Sequence, residues 1–160
     1  MGISELEDLP LRSCFTLFFV ALPTSATMAQ TAADALLTAS IRDCALWEEG
    51  SLYIGERAVV EMDLTGDGLP ETLVDTSHLE CSATPLSPYC GSGGCSLFAF
   101  VEDHVFEWQA LGWRVIDWDG EPVLLIGRDG GWCGVSSAGY CFEALNWNGE
   151  TFLTVMPPVE

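Results

Sequence analysis

The pattern of apolar positions divides the chain into one helical segment and a series of short strands. From Thr31 to Trp47 the sequence TAADALLTASIRDCALW has apolar residues at helical spacing and contains no glycine or proline. This predicts an α-helix with Cys44 on its buried side. Beyond it, short runs rich in Val, Leu, Phe and Trp are separated by Gly, Asp, Asn and Pro, which is typical of antiparallel strands. We expect a mainly β fold, a small sheet or sandwich, with one N-terminal helix.

Two segments share a hairpin pattern. Residues 117–126 read DWDGEPVLLI and residues 146–155 read NWNGETFLTV. Both fit the pattern D/N-W-D/N-G-E, followed by apolar residues. Asp-Gly and Asn-Gly favour tight turns between strands because both residues can adopt positive φ. The sequence therefore predicts two hairpins.

A second correspondence involves the cysteines. Two segments each begin with an aromatic residue, a cysteine and a glycine, continue to a second cysteine, and reach a phenylalanine eleven positions later. The first contains Cys90, Cys95 and Phe106, and the second contains Cys133, Cys141 and Phe152. We interpret them as two copies of a cysteine-closed loop that leads into a hairpin, although coincidence is an alternative. The simplest pairing is Cys90 with Cys95, Cys133 with Cys141 and Cys44 with Cys81, and a crossed pairing remains open.

The N-terminal segment resembles a secretory leader. An apolar run from Cys14 to Ala21 is followed by small residues up to Ala29. It is too short to span a bilayer, so we expect a signal peptide at 1–29 and a single secreted domain at 30–160, with an amphipathic or core segment as the alternative. Removal of the leader leaves six of seven cysteines, without a C-x-x-C motif, which favours disulfides over zinc. A periplasmic or extracellular location follows.

The charge balance restricts the possible partners. Lys and Arg number 5 against 24 Asp and Glu, and the formal net charge is −19. Binding to nucleic acid or to an anionic membrane requires clustered basic residues, which this chain lacks. The acidity suits cations or basic partners, and it could also serve solubility alone.

An acidic, glycine-punctuated stretch at 61–75, EMDLTGDGLPETLVD, lies between two predicted strands. Calcium prefers six to eight hard oxygen ligands, and a short loop supplies them by turning alternate residues inward. The candidate ligands are the side chains of Asp63, Thr65, Asp67 and Glu71 and the backbone carbonyl of Leu69. The alternative is a plain turn in which Asp63 and Thr65 cap backbone amides.

Asp63, Gly66, Asp67, Gly68 and Glu71 resemble the D-x-D/N-x-D-G-x-x-D/E calcium loops of FG-GAP and VCBS type repeats in secreted β proteins. The resemblance implies a structural calcium ion held by the five candidate ligands. Thr65 departs from the pattern because Asn or Asp is usual there. The likeness covers one loop and its flanking strands, so it implies a local site and no complete repeat protein. An EF-hand does not fit, since Val74 occupies the twelfth loop position.

No catalytic residues are assigned. The sequence contains no G-x-S-x-G elbow, and carboxylate pairs such as Asp117 with Asp119 or Glu102 with Asp103 are expected by chance among 24 acidic residues. The five tryptophans of the β-rich part could pack in the core or form a platform for a glycan or protein ligand. They are Trp108, Trp113, Trp118, Trp132 and Trp147.

These observations favour a non-enzymatic binding or interaction module whose ligand is an unknown protein or glycan. One alternative is a small hydrolase inhibitor that presents the cysteine-closed loop Gly91 to Gly94. Another is a carboxylate-dependent hydrolase. A binder predicts exposed tryptophans, an inhibitor predicts a protruding rigid loop, and an enzyme predicts a concave pocket with convergent polar groups.

Overall fold

A computed structural model describes residues 25–84, 87–134, 136 and 139–154. The described part begins with one helix and continues as strands that are joined by turns. The helix is α1 (Ser25–Ala45), and 3₁₀ turns occupy Thr76–His78 and Gly130–Cys133. The strands are β1 (Leu52–Ile54), β2 (Val59–Met62), β3 (Glu71–Asp75), β4 (Leu79–Cys81), β5 (Cys90–Gly91), β6 (Gly94–Val101), β7 (His104–Ala110), β8 (Gly112–Trp118), β9 (Glu121–Asp129), β10 (Tyr140–Trp147) and β11 (Phe152–Thr154). The predicted fold class, mainly antiparallel β with one helix, is confirmed.

Two antiparallel sheets pack face to face. The first has the order β2-β3-β6-β5, with β7 on the other side of β6, and the second has the order β11-β10-β9-β8. A small third sheet pairs β1 with β4. Leu73, Leu97 and Ala99 of the first sheet form one buried cluster with Leu124 and Ile126 of the second. The hydrophobic core therefore lies between the two large sheets.

Helix α1 covers the other face of the five-stranded sheet. Ala29 and Ala33 are buried against Val74 and Phe100, and such small side chains allow the helix to approach the sheet closely. The helix begins before the predicted Thr31, because the preceding residues include the good helix formers Ala, Met and Gln. It ends at Ala45, and positive φ at Glu48 (47°) and Glu49 (56°) takes the chain out of helical geometry.

The expected leader overlaps the described structure only in part. Residues 1–24 lie outside the described residues, and the expected cleavage point after Ala29 falls within α1. No helix in the described part of the chain combines the length and the apolarity needed to cross a membrane. The signal peptide stays a prediction.

Both predicted hairpins are present, with different turns. Asp119 (φ 58°) and Gly120 (φ 91°) form the two-residue turn between β8 and β9. Between β10 and β11 the turn spans 148–151, because the Asn148 side chain accepts hydrogen bonds from the amides of Glu150 and Thr151. Side-chain capping thus replaces the tight turn that Asn-Gly predicts.

All six cysteines from Cys44 onward form disulfides in the simplest predicted pairing, which is Cys44–Cys81, Cys90–Cys95 and Cys133–Cys141. The two presumed copies are less alike than their spacing indicates. Cys90 lies opposite Cys95 in a strand pair, whereas Cys133 belongs to a 3₁₀ turn. The two phenylalanines, Phe106 and Phe152, pack edge to face at 5.2 Å between ring centroids.

Candidate functional site

The acidic loop joins β2 to β3, with Met62 paired to Glu71 at its base. Asp63 organises the loop through its two carboxylate oxygens. Oδ1 accepts hydrogen bonds from the amides of Thr65 (3.1 Å) and Gly66 (2.6 Å), and Oδ2 accepts one from Gly68 (2.9 Å). Gly66 and Gly68 both have a φ of 82°, which directs these amides inward.

Glu71 is the buried carboxylate of the loop. Its Oε2 accepts a hydrogen bond from the Leu64 amide at 2.6 Å, and the Thr65 hydroxyl donates to Oε1 at 3.4 Å. Burial raises the pKa of Glu71, and repulsion from Asp67 and Asp63 raises it further, against the lowering effect of the amide hydrogen bonds. The loop thus holds a desolvated carboxylate beside two like charges.

Asp67 and Leu69 lie on the exposed side of the loop, where Asp67 Oδ1 accepts a hydrogen bond from the Leu69 amide at 2.8 Å. Glu102, Asp103 and His104 lie on an exposed turn, and their possible metal-ligating atoms all lie within 4.8 Å of one another. Among the described residues, this is the group of three His, Cys, Asp or Glu side chains that meets this distance. The three loop carboxylates do not form such a trio.

Calcium ligands at 2.3–2.6 Å from one ion lie at most about 5 Å apart. The loop therefore supplies donors of the right kind in an arrangement that its own amides cap. At least one of the three carboxylates would therefore have to move before all of them could contact one ion. Asp63 caps backbone amides, as the plain-turn alternative predicts. The loop also concentrates negative charge that a cation would neutralise.

The second candidate site is the outer face of the four-stranded sheet, which faces away from the core. Trp113, Val115, Leu124, Ile126 and Leu145 point inward to the sandwich core, so the alternate residues of the same strands point outward. This uncovered face consists of Arg114, Ile116 and Trp118 of β8, Val123, Leu125 and Gly127 of β9, Tyr140, Phe142, Ala144 and Asn146 of β10, and Leu153 of β11.

Large apolar side chains dominate the uncovered face. Trp118 is 72% exposed, Phe142 60%, Tyr140 54% and Leu153 52%. The Tyr140 ring lies over Gly127, where a Cβ atom would be 2.2 Å from the tyrosine hydroxyl. Gly127 therefore makes room for the aromatic ring.

Two grooves cross the uncovered face. The larger, of about 730 Å³, is lined by Ile116, Trp118, Asp119, Glu121, Val123, Leu125, Ala144 and Asn146. The smaller, of about 430 Å³, is lined by Gly112, Trp113, Arg114, Leu125, Tyr140 and Phe142. Leu125 lines both grooves, so they adjoin each other. Acidic side chains stand at the hairpin end of this surface and Arg114 stands towards the opposite end.

The other tryptophans divide between packing and exposure. Trp108, Trp113 and Trp147 are partly buried against the sandwich core. Trp132 is exposed, and its ring lies 4.5 Å from the guanidinium of Arg128. Arg128 is itself buried and pairs with the buried carboxylate of Glu143. This ion pair satisfies polar groups inside the fold, and the sequence analysis did not anticipate it.

The segment and the carboxylate pair behind the two alternative functions lie at separate places in the fold. In the Gly91–Gly94 segment, Gly94 is buried and a Cβ atom on Gly93 would lie 2.8 Å from Gln109, so the segment packs against β7. Asp117 lines a small cavity beside Asp63, whereas Asp119 lines the large groove. Gly91 and Ser92 of the segment are exposed, and the two carboxylates line different cavities.

The uncovered face was not among the predicted sites, although the sequence contains a signal for it. The β9 run Val-Leu-Leu-Ile is apolar at four consecutive positions. Because successive residues of a strand point to opposite faces, such a run places apolar side chains on both faces of the sheet.

Comparison with protein-family models, with curated proteins and with solved structures finds no match for this chain.

Proposed function

We propose that this protein is an exported, disulfide-stapled binding module whose ligand-binding surface is the uncovered face of the four-stranded sheet. The observation that carries the proposal is the exposure of Trp118, Phe142, Tyr140 and Leu153 on one contiguous surface. Large exposed apolar patches on soluble domains mark interaction sites. Aromatic side chains also dominate the energetic centres of protein interfaces. A protein ligand therefore fits this surface better than a small polar molecule.

The disulfides support the exported location. Three bridges close a domain with a modest core, and such bridges persist in oxidising compartments. Exported proteins also encounter calcium at the concentrations that weak structural sites require.

Site-specific photo-crosslinking tests the binding surface. Benzoylphenylalanine replaces Trp118 in one protein and Trp47, an exposed residue just after α1, in the matched control. Both proteins are irradiated in the native extracellular or periplasmic fraction. We expect a discrete crosslinked product from position 118 and none from position 47. Equal crosslinking at both positions, or none at position 118, would contradict the proposal.

We propose in addition that the Asp63–Glu71 loop binds a structural calcium ion. Support comes from the burial of Glu71 beside Asp63 and Asp67, since a divalent cation would neutralise the repulsion that raises the pKa of Glu71. The ligands are the five identified from the sequence: Asp63, Thr65, Asp67, Glu71 and the Leu69 carbonyl. Calcium would hold the loop against the β8–β9 hairpin, where a Cβ atom on Gly66 would lie 3.2 Å from Glu121 and from Pro122.

Asp67→Asn isolates the ion because asparagine retains an acceptor for the Leu69 amide while losing the charge. Extracellular modules bind calcium at about 10⁻⁴ to 10⁻³ M, so millimolar calcium contributes about 1–2 kcal/mol. The melting temperature of the wild type should rise by about 3–8 °C with calcium relative to chelator. Asp67→Asn should lose most of this rise, and Glu80→Gln, which removes an exposed charge on β4, should retain it. Identical wild-type melts with calcium and with chelator would refute the site.

A further inference from the structure

The larger groove of the uncovered face has an apolar floor and an acidic end. Ile116, Val123, Leu125 and Ala144 form its apolar lining. Where β8 turns into β9, the exposed indole of Trp118 is accompanied by the carboxylates of Asp119 and Glu121, and Asn146 adds an amide. An aromatic face next to two carboxylates is a favourable environment for an ammonium or guanidinium group.

Charge varies along the face in the strand direction. Arg114 lines the smaller groove, and it lies four residues before Trp118 on the same strand, about 13 Å away at the β rise per residue. The acidic end is thus separated from a single basic side chain by the length of the apolar floor. A ligand bound along the strands would place its positive charge at the β8–β9 hairpin.

The charge of the whole chain acts in the same direction. With 24 acidic and 5 basic residues, the protein attracts positively charged partners over a distance and repels a second copy of itself. A self-complementary dimer through this face would bring together two chains of net charge −19. The charge therefore favours a basic partner over self-association.

The sheet also ends beside the groove. Strand β8 is the last strand in the order β11-β10-β9-β8, so no strand of the described residues pairs with its outer edge. Strand addition at an edge combines backbone hydrogen bonds with pockets that receive alternate side chains. The groove adjoining β8 provides such pockets.

We propose that the partner is an extended, basic amphipathic segment of another protein, with apolar residues along the groove and lysine or arginine at Trp118, Asp119 and Glu121. This inference rests on the proposed function, because it specifies what the uncovered face binds. The proposed function depends on the apolar surface alone, whereas this inference depends on the carboxylates of Asp119 and Glu121 as well.

A phage-displayed library of random dodecapeptides is a suitable probe, selected on the disulfide-bonded protein in chelator so that calcium plays no part. Three variants are tested beside the wild type. The face variant is Trp118→Ser with Phe142→Ser, the hairpin variant is Asp119→Asn with Glu121→Gln, and the control is Glu56→Gln with Glu80→Gln. Asn-Gly retains the turn preference of Asp-Gly, so the hairpin variant removes charge and preserves the turn. The control removes two exposed charges outside the four-stranded sheet.

We expect the peptides that bind the wild type but not the face variant to be enriched in lysine, arginine and apolar residues. Synthesised individually, they should bind the hairpin variant roughly threefold to tenfold more weakly, as expected for the loss of two partly exposed charge pairs. Their affinity for the control should change less than twofold. An increase in salt from about 50 mM to about 500 mM should weaken binding to the wild type more than to the hairpin variant.

The possible failures are distinguishable. Face-dependent peptides without a basic bias, or with unchanged affinity for the hairpin variant, would overturn the cationic inference and leave the proposed binding surface intact. An absence of face-dependent peptides would count against both. Concentration-dependent dimerisation of the wild type that the face variant abolishes would identify a second copy as the occupant and overturn the proposed partner.

Discussion

The two large sheets both have apolar side chains on their outer faces, but these side chains are buried on one sheet and exposed on the other. On the five-stranded sheet, α1 covers the outer face and buries Val74 and Phe100 beneath Ala29 and Ala33. On the four-stranded sheet the corresponding outward face carries Trp118 and Phe142 in exposed positions. Both faces follow from strands with apolar residues on both sides, and the described part of the chain supplies one covering helix. The described residues thus bury apolar side chains on one outer face and leave them exposed on the other.

The side chains on the two faces also differ in kind. On the covered face, Ala29 and Ala33 of the helix permit close packing, and Val74 and Phe100 beneath them are almost wholly buried. The uncovered face carries aromatic rings together with Arg114, and Asp119 and Glu121 lie at its hairpin end. Aromatic residues bordered by charge are characteristic of binding surfaces that remain soluble before the partner arrives.

A matched pair of substitutions gives the largest expected contrast between the two faces. Phe100→Ala empties a buried site under the helix, where the phenylalanine is 3% exposed, and should lower the free energy of unfolding by about 3–5 kcal/mol. Phe142→Ala removes the same atoms from a side chain that already faces solvent and contacts Tyr140 edge to face. It should cost less than about 1 kcal/mol. Denaturant unfolding of both variants measures the difference, and similar costs would show that both faces are buried in solution.

Removal of the disulfide at the end of α1 should loosen the helix from the five-stranded sheet and expose the apolar side chains of the covered face. Cys44–Cys81 joins residues 37 positions apart and ties the end of α1 to β4, whereas Cys90–Cys95 joins residues 5 apart. Chain-entropy arguments give losses of about 4 kcal/mol for the Cys44→Ala, Cys81→Ala variant and about 2 kcal/mol for the Cys90→Ala, Cys95→Ala control.

Thermal unfolding provides these values, and binding of a hydrophobic dye to the native protein reports whether the covered face has opened. We expect extra dye binding for the Cys44, Cys81 variant alone. If the control loses as much stability and binds as much dye, the disulfide has no special role in holding the helix on the sheet.

The elements of the fold were predictable where the signal is local. Helical spacing located most of α1, and the Asp119-Gly120 pair identified the β8–β9 turn. The cysteine spacing suggested the observed pairing, although it could not exclude a crossed one. Which sheet face the helix covers depends on contacts between distant segments, such as Ala33 with Phe100. The sequence pattern carries no comparable signal for that choice.

The candidate site shows the same limit. The loop residues and its two essential glycines were recognisable from their spacing, and the strands on either side formed as expected. The orientation of each carboxylate was not recognisable. Asp63, Asp67 and Glu71 each accept a hydrogen bond from a loop amide. Competition between amides and a cation for these carboxylates depends on distances that residue spacing does not specify.

The smallest expected effect concerns one carboxylate from each sheet. Glu71 is buried at the start of β3, and its pKa is raised by burial and by the neighbouring charges, whereas Glu121 at the start of β9 is exposed. With calcium chelated, the folded protein should bind a proton at Glu71 more tightly than the unfolded chain does. The free energy of unfolding should then rise as the pH falls from neutral through the raised pKa, and this contribution should level off below the unfolded value of about 4.3.

Relief of overall negative charge will raise stability in every variant at acidic pH, so the difference between proteins is the quantity that matters. Glu71→Gln preserves an acceptor for the Leu64 amide and removes the titrating group. Its unfolding free energy should therefore change less between neutral pH and pH of about 4.3 than that of the wild type. Glu121→Gln should parallel the wild type throughout. If Glu71→Gln parallels the wild type as well, Glu71 does not carry the electrostatic strain that makes the loop a candidate for a bound cation.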